Sequence, residues 1–123
     1  MTYCVGMLLD KGLVMAADTR TNAGVDNVGK FKKLYAWEKQ GHAVFVLLTA
    51  GNLAITQAVV SMLTEGTQSR RETRAEASNL FAAKTMFQAA RIVGKAVREV
   101  KEIDGEHLQA NGDAFAASFI FGG

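Results

Sequence analysis

Apolar and polar positions follow two regimes along this chain. Residues 2–9 (TYCVGMLL) and 13–19 (LVMAADT) are short, nearly continuous apolar runs. Asp10-Lys11-Gly12 between them predicts a hairpin closed by a three-residue loop, with Gly12 in the left-handed position. A second pair, 31–38 (FKKLYAWE) and 42–50 (HAVFVLLTA), is joined in the same way by Lys39-Gln40-Gly41. The polar, glycine-containing stretch RTNAGVDNVGK between the pairs reads as a loop. After Gly51 the period lengthens to that of a helix. NLAITQAVVSMLTEG puts Leu53, Ile55, Ala58, Val59 and Met62 on one broad face, and Asn52 is placed to cap its first turn. A charged connector, TQSRRETRAE, leads to a long helix over 76–102, whose stripe is Leu80, Ala83, Met86, Phe87, Ala90, Val93 and Val97. DGEHLQANGD reads as a loop and AFAASFIFGG as a last strand, so the element order is β-β-β-β-α-α-β.

Strands at 2–9, 13–19 and 42–50 are apolar on both faces and therefore call for cover on both sides. Two stacked antiparallel sheets with helices outside, a four-layer α+β sandwich, would satisfy them in one domain over 1–123. A chain of 123 residues is short for that, and FIFGG ends on an apolar strand with no closing partner. The pattern thus reads as part of a longer fold. By itself it would expose unpaired edges and bare apolar faces, and a dilute monomer is not expected to unfold cooperatively.

Composition narrows the chemistry. Hydrophobic content of 49% with 21% charged residues is that of a soluble globular domain. A net charge of +2 gives no electrostatic ground for nucleic acid or an anionic membrane as partner. No stretch approaches ~18 uninterrupted apolar residues, and no basic segment precedes the first apolar run, so neither a membrane span nor a signal peptide is expected. The single cysteine, Cys4, reads as a small core residue and suits a reducing cytoplasm. His42 and His107 have no partners at ligand spacing, so no metal or other cofactor is expected. In the connector, acids alternate with arginines and no aromatics are interleaved, which suits solvent better than nucleic acid.

The two hairpin registers bring chemistry to one end. With a loop at 10–12, Leu9 faces Leu13, Cys4 lies beside Asp18 and Thr2 beside Arg20. In the second hairpin Lys33 falls opposite Leu47, toward the same open end as the turn at Gly51. If the open ends meet, Thr2, Asp18, Lys33 and the first amides of the helix at Gly51 converge. A threonine hydroxyl needs a base before it is a useful nucleophile. Removal of Met1 would place an α-amine on that very residue, with a free pKa of about 7.7–8.0, near working pH. A lysine ammonium nearby would hold the amine neutral, an aspartate would hold the lysine, and Gly51 N–H would meet a developing oxyanion.

The stretch TYCVGMLLDKGLVMAADTRTNAG resembles the start of a proteasome-type β-subunit, with its pattern T-x-x-x-G-x-x-x-x-x-G-x-x-x-A-A-D-x-R. LLTAGNLAITQAV is similar to that family's A-G-x-x-A-D-x-Q-A-V segment, and the Anbu (ancestral β-subunit) branch, related to HslV, is the nearest in pattern. The resemblance covers essentially the whole chain but only about the N-terminal half of a family member. It implies the α-β-β-α sandwich of N-terminal-nucleophile hydrolases and threonine-type peptide hydrolysis without a cofactor. It also implies a cytoplasmic assembly of identical subunits in a ring or helical array, with an ATPase partner left open. Residue by residue, it implies Thr2 as nucleophile, Asp18 and Lys33 as its partners and Gly51 as oxyanion donor. Arg20 would support the site, Thr21 and Asn22 would line the substrate edge, and Thr49 and Leu53 would face the specificity pocket. The Thr2-to-Lys33 spacing is one residue shorter than the common pattern, which leaves Lys32 as an alternative. Ile55 stands where the family has aspartate, and the Ser/Asp group that the family's other half places beside the amine has no counterpart here. Two rival readings remain: an inactive assembly or regulatory subunit or truncated remnant, and an amidase of the same class acting on non-peptide amides.

Overall fold

A computed structural model describes residues 1–22, 28–68, 79–112 and 115–123, with the backbone alone for Asn22, Val28 and Gln68. The strands are β1 (Cys4–Leu9), β2 (Gly12–Ala17), β3 (Arg20–Asn22), β4 (Val28–Lys30), β5 (Leu34–Lys39), β6 (Ala43–Gly51) and β7 (Ala117–Gly122). Two helices, α1 (Leu53–Gln68) and α2 (Met86–Ala110), lie between β6 and β7, with a 3-10 turn at Leu80–Ala82. The architecture is α+β with antiparallel sheets.

All pairings are antiparallel: β1 with β2, β3 with β4, and a three-stranded sheet ordered β5-β6-β7. The helices cover one face of that sheet. Phe45 and Leu47 of β6 and Trp37 of β5 join Ile55, Val59, Leu63, Leu80, Ala89, Val93, Ala96 and Val100 in one buried cluster. Trp37 Nε1 donates to Thr64 Oγ1 at 3.1 Å, satisfying the indole where its ring is buried and tying β5 to α1. Successive strand residues point to opposite faces, and the opposite face of the sheet carries the β1–β2 ribbon. Leu48 is fully buried outside the helix-side cluster, Gly122 takes the Leu13 and Met15 side chains against its bare Cα, and Gly6 sits against Ile120. The described chain is therefore helices, sheet and ribbon. The ribbon's far face, with Met7, Leu9 and Val14, is exposed. Both-sided cover is expected for the first two strands, and only one side of them is covered.

Several boundaries differ from the sequence reading for identifiable reasons. The first hairpin has a two-residue turn, because Gly12 pairs with Leu9 as the first residue of β2. In the second, Lys39 pairs with Ala43, so the loop is Gln40-Gly41-His42, with Gly41 at φ 70°. Leu34 therefore faces Leu48, two residues away from the expected register. RTNAGVDNVGK is not simply a loop: its ends, Arg20–Asn22 and Val28–Lys30, pair as a short ribbon. Most of the charged connector lies outside the described residues. Thr85 accepts a hydrogen bond from Gln88 N at 3.2 Å and starts α2 there, while Leu80 packs from the 3-10 turn instead. That restart rotates the apolar stripe to Ala89, Val93, Ala96 and Val100, and leaves Met86, Phe87 and Ala90 outside. The expected loop at 104–113 is helical as far as Ala110: Gly105 is carried within the helix, which ends only at Asn111 and at Gly112 with φ 79°.

Candidate active site

Lys33 precedes β5 at the end where β1 and β2 open. Its side chain is only 6% exposed, against 31% for Asp18. Lys33 Nζ donates to Asp18 Oδ1 at 3.0 Å and to Oδ2 at 3.1 Å, and also to the Arg20 and Met1 carbonyls. Asp18 in turn accepts from Tyr3 N–H at 2.8 Å and from Arg20 N–H at 3.1 Å. These bonds to the charged form hold its carboxyl at about 2, below the usual 3.8. The Tyr3 amide acts most strongly, then the Lys33 ammonium and the Arg20 amide, while partial desolvation works the other way. Lys32 does not compete for this place, because its ammonium lies over the Tyr35 ring, 5.3 Å from the centroid.

The sequence folds locally in a way that forces this meeting. Asp18 N–H donates to Tyr3 O at 3.0 Å, extending the β1–β2 ladder one step beyond Cys4 and Ala17. Phe31 N–H donates to Thr19 O at 2.8 Å, which returns the chain to the same end after the β3–β4 ribbon. Thr49 N–H then donates to Lys33 O at 2.9 Å, so Lys33 stands opposite Thr49 and not Leu47. The expected pair of Cys4 with Asp18 likewise becomes Cys4 with Ala17, one residue out of register. The convergence survives both slips because the register errors displace neighbours along one end of the molecule, not to its other end.

Beside the ion pair is a cavity of about 330 Å³ lined by Met1, Thr2, Thr21, Lys33, Thr49, Ala50, Gly51, Leu53 and Thr56. Of the expected site residues, Thr2, Lys33, Gly51, Thr21, Thr49 and Leu53 line it, and Asp18 reaches it through Lys33. Arg20 contributes its backbone N–H and C=O to the pair, while its side chain is exposed. Asn22 closes β3 against Val28, and its side chain lies outside the described residues. Gly51 has φ 102° and ends β6, and Asn52 caps α1 by accepting from Ala54 N at 2.9 Å and Ile55 N at 3.3 Å.

Three contributors escaped sequence reasoning. Tyr3 and Met1 act through the backbone, which residue identity does not advertise, and Thr56 enters from the first turn of α1, where its side chain is 4% exposed. Cys4 is half-buried and donates its thiol weakly to Thr49 O at 3.7 Å; burial first and the Asp18 carboxylate second push its pKa up, against a smaller pull from Lys33. A raised pKa disfavours the thiolate, so Cys4 is a packing residue here. Among the described residues no cluster of His, Cys, Asp or Glu could hold a metal ion, and no helix is long and apolar enough to cross a membrane.

Neither a protein-family model nor a curated protein matches the chain. Solved structures do. A mutant of Anbu from Hyphomicrobium sp. strain MC1 is 52% identical with TM-score 0.85, over 99% of this chain and 47% of that one. The chain belongs to the Anbu (ancestral β-subunit) family. Anbu from Yersinia bercovieri is 36% identical with TM-score 0.80, again over 99% and 47%. A helical assembly of the Anbu complex from Pseudomonas aeruginosa gives 34% and 0.83, with the same coverage. The chain spans about half the length of these Anbu proteins and is a proteasome-type subunit sequence in that sense.

Proposed function

We propose that this chain carries the nucleophilic centre of a threonine-type peptidase, with Thr2 as nucleophile once Met1 is removed. The observation that supports it best is the Lys33 ammonium, clamped by Asp18 and opening on a cavity that Thr2 and Gly51 share. Thr2 Oγ attacks a peptide carbonyl while the α-amine of the same residue takes the hydroxyl proton. Lys33 keeps that amine unprotonated at neutral pH, because a neighbouring cation disfavours a second positive charge. The oxyanion is met by the Gly51 N–H, with the start of α1 behind it. As the carbon–nitrogen bond breaks, the amine hands its proton to the leaving nitrogen, leaving an ester on Thr2. Water, deprotonated by the same amine, then cleaves the ester and frees the peptide acid. Identical subunits would enclose such sites in a ring or a helical array in the cytoplasm; the helical assembly of the Pseudomonas Anbu complex supports the array.

Intact-mass analysis with a peptide electrophile directed at amino-terminal threonine tests the reading. The expected result is loss of Met1 and one adduct on Thr2, absent in Thr2→Ala. Retained Met1 in the protein would block the base as an amide and leave the subunit without catalysis, the inactive-subunit reading. An adduct that persists in Thr2→Ala would remove Thr2 as nucleophile. A non-peptide amide hydrolysed in preference to every peptide would point to the amidase.

A further inference from the structure

The cavity beside Thr2 carries information about what it holds. Its charges are spent on one another: with Met1 removed, Lys33 still donates to both Asp18 oxygens and to the Arg20 carbonyl, and each Asp18 oxygen also takes a backbone N–H. No other charged side chain lines the cavity among the described residues. An acidic side chain would find no free cation there, and a basic one no free carboxylate. The walls are instead Thr21, Thr49 and Thr56 with Ala50 and Leu53.

Thr56 decides more than size. It is 4% exposed and its Oγ1 donates to Leu53 O at 3.0 Å, within the first turn of α1. Its only proton is thereby committed, and what the oxygen still offers is a lone pair. Thr49, equally buried, spends its proton on Lys33 O at 3.5 Å, a longer bond. A buried acceptor is served by a donor and left unpaired by hydrocarbon, which is the larger penalty. We infer that the cavity selects an uncharged side chain bearing a hydrogen-bond donor, on the acyl side of the cleaved bond, and that Thr56 sets this selectivity. The inference rests on the peptidase reading, and it names the class of peptide that site takes: bonds following threonine, serine or asparagine.

A panel of threonine-directed peptide epoxyketones that differ only at that position separates the two claims. The wild-type chain is labelled about threefold or more faster by the threonine probe than by its isostere valine, as one hydrogen bond provides. The threonine probe also outruns leucine, glutamate and arginine. Thr56→Val brings the threonine-to-valine ratio toward one. Fastest labelling by arginine, glutamate or leucine, or a valine probe equal to threonine in the wild-type chain, overturns the specificity and leaves the peptidase standing. A ratio unchanged in Thr56→Val overturns the role of Thr56. No labelling of Thr2 by any probe overturns the peptidase reading and the specificity with it.

Discussion

The site depends on two residues, Asp18 and Lys33, and the electrostatics of their pair have a sign that can be checked. The Asp18 carboxyl sits at about 2 in the fold against 3.8 ordinarily, so the folded state favours its ionised form. Its contribution to stability is complete above 3.8 and is lost as pH falls through about 2. In Asp18→Asn that part of the acid slope disappears. At a protein concentration where the chain is associated and unfolds cooperatively, the urea midpoint therefore differs between wild type and variant at neutral pH, and the two curves draw together in acid. Equal midpoints at neutral pH would show that the carboxylate does nothing for the fold. The same pair bears on catalysis. Replacing the cation in Lys33→Met lets the Thr2 amine rise toward its free value near 7.7–8.0. The lower limb of the pH profile for Thr2 labelling should then move up by roughly one unit or more. A profile that keeps its position would mean that Lys33 holds the fold and leaves the amine alone.

At the scale of elements, the sequence was most readable where pattern and chemistry agreed. Asn52 after Gly51, ahead of an apolar face with helical spacing, marked α1 and its cap, and both are found. The hairpins were visible from glycine punctuation, but the turn lengths were not. Gly12 and Gly41 each fit more than one loop, and packing of Leu13 against Gly122 or Trp37 against α1 selects among them. The start of α2 was hidden because Leu80 and Ala83 continue the stripe of the helix by coincidence of spacing, while Thr85 sets the true boundary. Thr2, Asp18 and Lys33 were legible as neighbours because the two hairpins brought them to one end and a family pattern marked the same residues, although Thr2 and Lys33 are each unremarkable alone. Thr56 was not, being one more threonine on a helix. The junction of β6 and α1 is the element whose geometry is least replaceable. Gly51 has φ 102°, and a Cβ there would collide with the Ala116 carbonyl oxygen. Gly51→Ala should lower stability by about 1–3 kcal/mol, the usual range for a side chain forced into such a conformation. It should also slow Thr2 labelling by displacing the amide at the cavity rim. Urea unfolding at the same associating protein concentration and the labelling rate read the two effects separately, and an unchanged midpoint would show that the strand end relaxes without cost.

For the whole molecule, the decisive feature is an apolar surface that none of the described residues covers. The ribbon buries one face on the β5-β6-β7 sheet, through Gly6 on Ile120 and Leu13 on Gly122. On its other face Met7 is 46% exposed, Leu9 54% and Val14 44%. Those three side chains, with Val5 and Ala16, make a continuous strip because Met7 pairs with Val14 and Val5 with Ala16. Solvated β-surface alternates polar with apolar, so a strip of this composition marks a face meant to be covered. The chain spans 47% of the length of the Anbu proteins it matches. Alone in dilute solution, the chain should bind a dye for exposed apolar surface and melt without a cooperative transition. At higher concentration it should associate through the strip, gaining cooperativity as it does so, because whatever binds the folded form stabilises it by mass action. Met7→Lys together with Val14→Glu places opposite charges on paired positions, keeping the ribbon intact while abolishing its stickiness. Light scattering should then report monomer where the wild-type chain is associated. If the double variant associates as the wild type does, the contact lies elsewhere, and the free edge of β7 becomes the surface through which copies meet.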